Sequence, residues 1–266
     1  MAVQRREFIF GAFLLATASV ILVIISIASN SWVVSSYTEA ESDNDLWYGL
    51  FNGKSVERLL NTPTTHDLYV TCVQDVGACA ASCKTTQEAR EEEVRALAQG
   101  FRPNLLCGSF TTVSEENPLT TPPVITVAFY ACMVLVLSLQ LLFSAASAAL
   151  AILNATTNPT EPAFGLPGCL WSNVVAAVLG FLAMMMFGIY WGTSGLKEHL
   201  AFATIALGDY ELNPRLGYAY WLLMIAVVFS LANVGLIELR RYLLERDPPP
   251  PTIKVDNHSD GTIFLY

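Results

Sequence analysis

Cysteine is the residue type in this 266-residue chain whose placement most directly suggests chemistry. Four of the six cysteines lie in one polar stretch: Cys72, Cys79, Cys83 and Cys107. Four such thiols can form two disulfides with three possible connectivities, which the sequence does not distinguish. A zinc site built on Cys79 and Cys83 is the alternative, but this spacing has no second pair and no nearby histidine. Because disulfides persist in oxidising compartments, we predict that the stretch lies outside the cell or in the secretory lumen.

Other chemically reactive residue types are scattered. The three histidines lie in separate regions: His66, His199 and His258. The sequence contains no HExxH, GxSxG or phosphate-loop motif. We interpret the acidic run at residues 91–93 as the solvent-exposed side of a short helix, with cation binding as the alternative. The sequence therefore predicts a protein that is not an enzyme, with no catalytic residues, no cofactor, no metal site and no evident small-molecule substrate.

Four long apolar runs separate the polar regions of the chain: 8–28, 124–153, 168–191 and 218–237. Hydrophobic residues make up 53% of the chain and charged residues 14%, which is more apolar than a soluble domain. About 20 helical residues cross the hydrocarbon core of a bilayer, so each run can span it. We predict an all-α membrane protein, a left-handed bundle of four transmembrane helices. A signal peptide is the alternative for the first run, which is longer than the usual apolar core of such peptides.

Arginine pairs at the ends of the runs indicate the topology. They precede the first run and follow the fourth: Arg5 and Arg6, then Arg240 and Arg241. This favours a multi-pass protein with both termini in the cytoplasm, which we expect in the plasma membrane. The expected segments are a cytoplasmic N-terminus (1–7), a first extracellular loop (29–123), a cytoplasmic loop (154–167), a second extracellular loop (192–217) and a largely disordered cytoplasmic tail (238–266). The sequons at Asn154 and Asn257 then fall on the cytoplasmic side, so we expect neither to carry a glycan.

The first extracellular loop has the pattern of a small folded layer. Residues typical of strands concentrate in four segments that could form a small antiparallel β-sheet: 31–37, 46–50, 68–74 and 105–113. Residues 85–100 combine a capping threonine, following glutamates and a final glycine, which predicts a short helix. More than half of the 23 acidic residues lie between Glu39 and Glu116, which argues against nucleic-acid binding. We expect protein partners to bind through this loop.

The apolar runs themselves carry packing signals. Gln140, Asn173 and Asn233 are expected to supply hydrogen bonds between helices, and the small residues at 144–149 allow a neighbouring helix to approach closely. No Asp, Glu, Lys, Arg or His lies in the middle of a run, which argues against a transporter or a pump. We therefore expect the helices to contact membrane lipid and one another.

Aromatic residues around the first loop carry a family resemblance. A tryptophan directly follows the first helix, and an aromatic motif lies midway to the first loop cysteine: Trp32, then Trp47, Tyr48, Gly49, Leu50 and Phe51. With four spans and a large first loop, this arrangement resembles the claudin and peripheral-myelin-protein superfamily, which implies a claudin-like fold. Claudins proper carry tryptophan at the position of Phe51, followed by two closely spaced cysteines. The next cysteine here is Cys72, so the chain differs from claudins at both features.

The clarin branch of the superfamily is more similar. Clarins carry a Tyr-Gly-Leu-Phe stretch before a small polar segment, as in "YGLFNGKSV" at 48–56, and end on a short apolar tail with a final tyrosine, as in "IFLY". Residues 151–159 and 165–173 also resemble the clarin segments around the second and third helices. The resemblance implies a membrane protein that organises or maintains sensory-cell, actin-linked or synaptic structures through protein partners.

The tail provides a second route to partners. Its prolines at 248–251 predict an extended polyproline II segment. Phe264 and Tyr266 alternate before the terminal carboxylate, as a PDZ-type groove requires, and a disordered tail with an incidental apolar end is the alternative. Three functions therefore remain open: a clarin-like scaffold, a claudin-like adhesion or barrier protein, and an auxiliary subunit of an ion channel.

Overall fold

The computed structural model describes residues 2–39, 42–59, 62–101, 107, 119, 122–156, 164–194 and 213–246. Within these ranges the chain forms five helices: α1 (Ala2–Ala28), α2 (Gln87–Ala98), α3 (Val127–Thr156), α4 (Leu166–Thr193) and α5 (Tyr218–Arg246). It also forms seven strands: β1 (Val33–Glu39), β2 (Ser42–Tyr48), β3 (Asn52–Leu59), β4 (Thr62–Val73), β5 (Ala78–Ser82), β6 (Ile125–Thr126) and β7 (Asn213–Leu216).

Four of these helices, α1, α3, α4 and α5, are long and apolar enough to cross a membrane. This confirms the four apolar helices expected from the sequence, although six of their eight ends differ by two or more residues. Helix α3 begins at Val127 and not at 124, because Ile125 and Thr126 pair with the sheet. Helix α5 continues to Arg246, so the first part of the expected disordered tail is helical. Strong helix formers and an Arg241–Glu245 ion pair of 3.2 Å account for this extension.

The seven strands form one antiparallel sheet in the order β6-β5-β4-β3-β2-β1-β7. Strands β1 to β5 are a meander in which each strand pairs with the next in sequence. The two edge strands come from elsewhere and lead directly into helices, β6 into α3 and β7 into α5. Strand β7 belongs to the second loop, which the sequence did not predict to join the sheet. Its four residues are too few for the alternating pattern that reveals longer strands.

The four long helices form a ring in which α1 packs on α3 and α5, and α4 packs on the same two helices. Their buried core continues into the sheet end of the bundle, where Trp32 and Leu50 join residues of α3, α4 and α5. A second cluster places Leu46 and Leu68 of the sheet against Trp191 at the end of α4. Sheet and bundle therefore share a continuous apolar boundary.

Helix α2 covers one part of the sheet, beside β4 and β5. Its N-cap is Thr86, whose hydroxyl accepts a hydrogen bond from the backbone N–H of Ala89, as the capping pattern predicts. Val94 and Leu97 are buried against apolar residues of the two strands. Glu93 lies on this same buried face, so the interpretation of residues 91–93 as solvent-exposed is wrong at that position. The helical period turns Glu93 towards the sheet together with Val94 and Leu97.

Candidate functional site

Trp32 is the centre of the boundary between sheet and bundle. Its side chain is 1% exposed and its indole N–H donates a 2.7 Å hydrogen bond to the carbonyl oxygen of Ser26 at the end of α1. Its ring makes edge contacts with Phe187 of α4 and Tyr220 of α5, with centroids 5.0 Å and 6.3 Å apart. A buried indole needs such a polar partner for its N–H, and here the partner also fixes the direction of the ring.

The "YGLF" motif forms the turn between β2 and β3 and lies beside Trp32. The sequence predicted a strand over 46–50, but β2 ends at Tyr48, and the N–H of Gly49 donates to the carbonyl oxygen of Asn52 across the turn. Leu50 is buried in the bundle core, and its carbonyl oxygen accepts a 3.1 Å hydrogen bond from the Tyr130 hydroxyl of α3. Phe51 differs from its neighbours because it is 46% exposed.

Gly49 is the position in this turn where the backbone of another segment comes closest. A Cβ atom built there would lie 2.8 Å from the Cα of Asn30 and 2.9 Å from the carbonyl oxygen of Asn52. Both neighbours are backbone atoms that cannot rotate away. Any side chain at Gly49 would therefore push the turn off the end of α1.

Backbone hydrogen bonds connect the same region to two further elements. The N–H of Trp32 donates to the carbonyl oxygen of Tyr48 at 2.8 Å, which connects the end of α1 to β2. The carbonyl oxygen of Trp32 accepts from Gly217 at 2.8 Å, just before α5. We call Trp32, the turn at 48–51, Phe187 and Tyr220 the aromatic junction. It fastens the sheet to α1, α4 and α5.

Two of the three predicted polar residues of the helices meet inside the bundle. The side-chain amide of Asn233 donates to Asn173 Oδ1 and to the carbonyl oxygen of Ala12, both at 3.1 Å. The amide of Asn173 in turn donates to the hydroxyl of Ser147 and, at 2.8 Å, to the carbonyl oxygen of Cys169. We call these five residues the asparagine cluster. Because they belong to α1, α3, α4 and α5, the cluster joins all four long helices.

Gln140 does not join the asparagine cluster. Its side chain is fully buried on α3, and neither atom of its amide has a hydrogen-bond partner among the described residues. It packs instead against Gly180 of α4, where a Cβ atom would lie 2.5 Å from Gln140 Nε2. The expected interhelical hydrogen bond is therefore not made, because the facing surface of α4 offers a glycine where a polar side chain would be needed.

The four loop cysteines form two disulfides, Cys72–Cys79 and Cys83–Cys107. The first joins directly opposed residues of β4 and β5. This confirms the prediction of disulfides, selects one of the three connectivities and leaves no thiolate for the zinc alternative. The predicted strand at 105–113 lies outside the described residues except for Cys107. Of the other two cysteines, Cys169 is buried and Cys132 is exposed on α3.

A buried charged group lies between α2 and the sheet. The hydroxyl of Ser82 donates to the carboxylate of Glu93, and Lys84 is fully buried nearby. Burial raises the pKa of Glu93, against the opposing effects of the Ser82 hydrogen bond and the positive charge of Lys84. Burial and then the charge of Glu93 also raise the pKa of the Tyr48 phenol. The acidic run therefore contacts β5 through Glu93, and the charge of Glu93 acts on Tyr48 in the strand that carries the aromatic motif.

Sequence reasoning missed the serines that connect α1 to α5. The Ser26 hydroxyl donates to the carbonyl oxygen of Ala219 at 2.8 Å, and the Ser19 and Ser230 hydroxyls are 3.2 Å apart. Serine is common in apolar helices, so its presence alone did not mark these positions. The spacing could have done so, because the buried positions of α1 recur at intervals of three and four residues. Phe264 and Tyr266 of the tail lie outside the described residues.

Comparison of the sequence with models of protein families gives no match, and no curated protein matches it. The arrangement consists of packed aromatic rings, disulfides and hydrogen bonds, most of them between neutral groups. Within the described ranges, no group of three or more His, Cys, Asp or Glu side chains is placed to hold a metal ion. These contacts hold the helices and the sheet together.

Proposed function

We propose that this chain is a non-enzymatic, multi-pass protein of the plasma membrane that resembles clarins. Its role would be to organise or maintain specialised membrane structures, of the sensory-cell, actin-linked or synaptic kind, through protein partners. The observation that supports this best is the aromatic junction. Trp32, Gly49 and Leu50, on which the resemblance partly rests, meet at one place and hold a sheet on a helical bundle.

The proposed architecture is a left-handed, claudin-like bundle with the sheet outside the cell and both termini in the cytoplasm. The most fully buried residues of α5 recur at intervals of four, three, four, three and four: Ala219, Leu223, Ala226, Ser230, Asn233 and Ile237. This spacing favours a left-handed supercoil. The two disulfides favour an oxidising compartment for the sheet. The arginines at the far end of α5 favour the cytoplasm for the opposite face.

In this proposal partners bind to the sheet of the first loop, and a PDZ-type domain binds to the tail through Phe264 and Tyr266. The test is proximity labelling in the native tissue, with the labelling enzyme fused to the N-terminus so that the tail stays free. Cytoskeletal and membrane-specialisation proteins are the expected neighbours. Deletion of residues 263–266 should remove the PDZ-containing subset and leave the others. A single dominant ion channel among the neighbours would contradict the scaffold role and favour the auxiliary subunit.

Adhesion is the second candidate, and it is favoured by the exposed aromatic residues of the sheet. Phe51, in the turn before β3, and Tyr69, in β4, are both exposed, and Phe51 directly precedes Asn52, the residue that pairs with Tyr69. Exposed aromatic residues of this kind are enriched where proteins bind one another. An aggregation assay with cells expressing the chain tests this candidate. Clustering that is lost in a Phe51→Ser, Tyr69→Ser variant at equal surface level would favour adhesion over the scaffold.

A further inference from the structure

A groove of about 530 Å³ lies between the start of α4 and the end of α5. These are the ends of the two helices that lie away from the sheet, since β7 leads into the other end of α5 and Trp191, near the other end of α4, packs against the sheet. The groove has a volume typical of sites for small ligands. Its walls consist of an apolar part and a charged part, which are described in turn.

The apolar part, here called the groove floor, is formed by Leu166, Leu170, Ile237 and Leu244. Trp171 borders the groove floor near the start of α4, and its side chain is 65% exposed. Tryptophan in transmembrane proteins concentrates at the depth of the lipid headgroups, with its ring towards the acyl chains. The groove floor therefore lies where the acyl chains of one leaflet begin.

The charged part, here called the groove rim, contains equal numbers of basic and acidic side chains: Arg240, Arg241, Glu238 and Glu245. Arg241 and Glu245 form an ion pair of 3.2 Å, but their side chains are 70% and 67% exposed. Exposed pairs of this kind contribute little stability, so a ligand that offers both charges can replace them without a large loss. The groove rim is complementary to a headgroup with one negative and one positive group.

We propose that this groove binds one phosphatidylethanolamine molecule. An acyl chain would lie along the groove floor, the phosphate would accept hydrogen bonds from the arginines of the groove rim, and the ammonium would donate to its glutamates. Ethanolamine fits better than choline because a quaternary ammonium has no N–H to donate. The inference rests on the proposed transmembrane placement of α4 and α5.

The test uses the full chain, reconstituted into vesicles of equal parts phosphatidylethanolamine and phosphatidylglycerol, then released for native mass spectrometry. Resistance of the reconstituted chain to alkaline carbonate extraction checks the transmembrane placement separately. A chain that is extracted would contradict that placement. A chain that resists extraction should retain one phosphatidylethanolamine at activation energies that remove phosphatidylglycerol.

Two pairs of variants locate the lipid. Arg241→Gln should lower the retained phosphatidylethanolamine about tenfold, as expected for the loss of one charged hydrogen bond, whereas Arg246→Gln on the same helix should not. Leu244→Trp fills the groove floor and should displace the lipid, whereas Leu239→Trp adds the same bulk at an exposed position outside the groove. Glu238→Gln should shift retention towards phosphatidylglycerol.

Three results would overturn the proposal. Equal retention of both lipids by the unmodified chain would mean that the groove does not recognise the headgroup. Equal effects of Arg241→Gln and Arg246→Gln would place the lipid elsewhere. A rise in retained lipid after deletion of residues 247–266 would mean that the tail of the chain itself occupies the groove.

Discussion

At Trp32 a single side chain is shared by the sheet and three helices. Its backbone pairs with β2, its indole N–H with the end of α1, and its ring with Phe187 and Tyr220 of α4 and α5. The sequence predicts that Trp47, Tyr48, Leu50 and Phe51 pack the sheet against the ends of the helices, with Gly49 allowing close backbone approach, and this is wrong for Phe51, which is 46% exposed. It did not allow the prediction that Phe51 is exposed while Leu50 is buried, because a turn breaks the alternation that a strand would impose.

Replacement of Trp32 by alanine tests how much the aromatic junction contributes to stability. We expect Trp32→Ala to lower the free energy of unfolding by about 3–5 kcal/mol, the range for large aromatic residues lost from a core. Chemical unfolding of the purified chain in detergent measures this. Trp221→Ala, at a position 48% exposed on α5, is the control and should cost far less. Equal costs for the two variants would contradict a central role for Trp32.

Gly49→Val tests the close backbone approach in the turn. The new Cβ would lie at repulsive distances from Asn30 and Asn52, so we expect misfolding and a large drop in surface delivery. Surface biotinylation measures that drop. Gly192→Val is the matched control, because a Cβ there meets no atom within 4 Å. Normal surface levels of the Gly49→Val protein would show that the turn does not need this approach.

The buried carboxyl of Glu93 predicts a pH dependence. Its pKa is raised above the ordinary value of 4.5, so the folded state holds the proton more tightly than the unfolded state. The stability that this provides is present below pH 4.5 and is lost as the pH rises through the folded-state pKa. Glu93→Gln should abolish this fall in stability with rising pH, which thermal unfolding between pH 4.5 and 7 measures. Glu92→Gln, at an exposed position, should show the same fall in stability as the unmodified chain. Identical pH profiles for Glu93→Gln and the unmodified chain would be incompatible with a titrating Glu93.

At the scale of elements, helix packing follows a spacing that is visible in the sequence. The buried positions of α1 alternate between intervals of four and three residues: Ala12, Ala16, Ser19, Val23 and Ser26. Most of these residues are small and lie in a run that is apolar throughout. Composition therefore indicates a membrane span but does not show which face of the helix is buried. The ends of the helices were less predictable, because pairing of residues 125 and 126 with the sheet moved the start of α3 to Val127, and strong helix formers continued α5 to Arg246.

The asparagine cluster predicts a measurable coupling between α4 and α5. A double-mutant cycle of Asn173→Ala and Asn233→Ala should give a coupling energy of about 0.6 to 1.7 kcal/mol, as found for hydrogen bonds between transmembrane helices. Gln140→Leu is the contrasting variant, because its amide has no partner among the described residues. It should leave stability unchanged or raise it. A large loss of stability in Gln140→Leu would contradict this assignment of hydrogen bonds. A coupling energy of zero between the two asparagine variants would contradict it as well.

At the scale of the whole molecule, the separation into an apolar bundle and a disulfide-bonded sheet could be predicted from composition and cysteine placement. The order of the strands could not, because β6 and β7 reach the sheet from distant parts of the chain and are two and four residues long. The disulfide connectivity depends on that order, since Cys72 and Cys79 become neighbours only when β4 pairs with β5.

The sidedness of this molecule is the central claim, and one glycosylation measurement tests it most directly. Pro63→Asn completes an N-x-T sequon with Thr65 at exposed positions of β4. Expressed in mammalian cells, this variant should gain one glycosidase-sensitive band shift, while the unmodified chain, with its sequons at Asn154 and Asn257, should show none. A glycosidase-sensitive shift of the unmodified chain that Asn257→Gln removes, together with no shift for Pro63→Asn, would place the sheet on the cytoplasmic side and contradict the account.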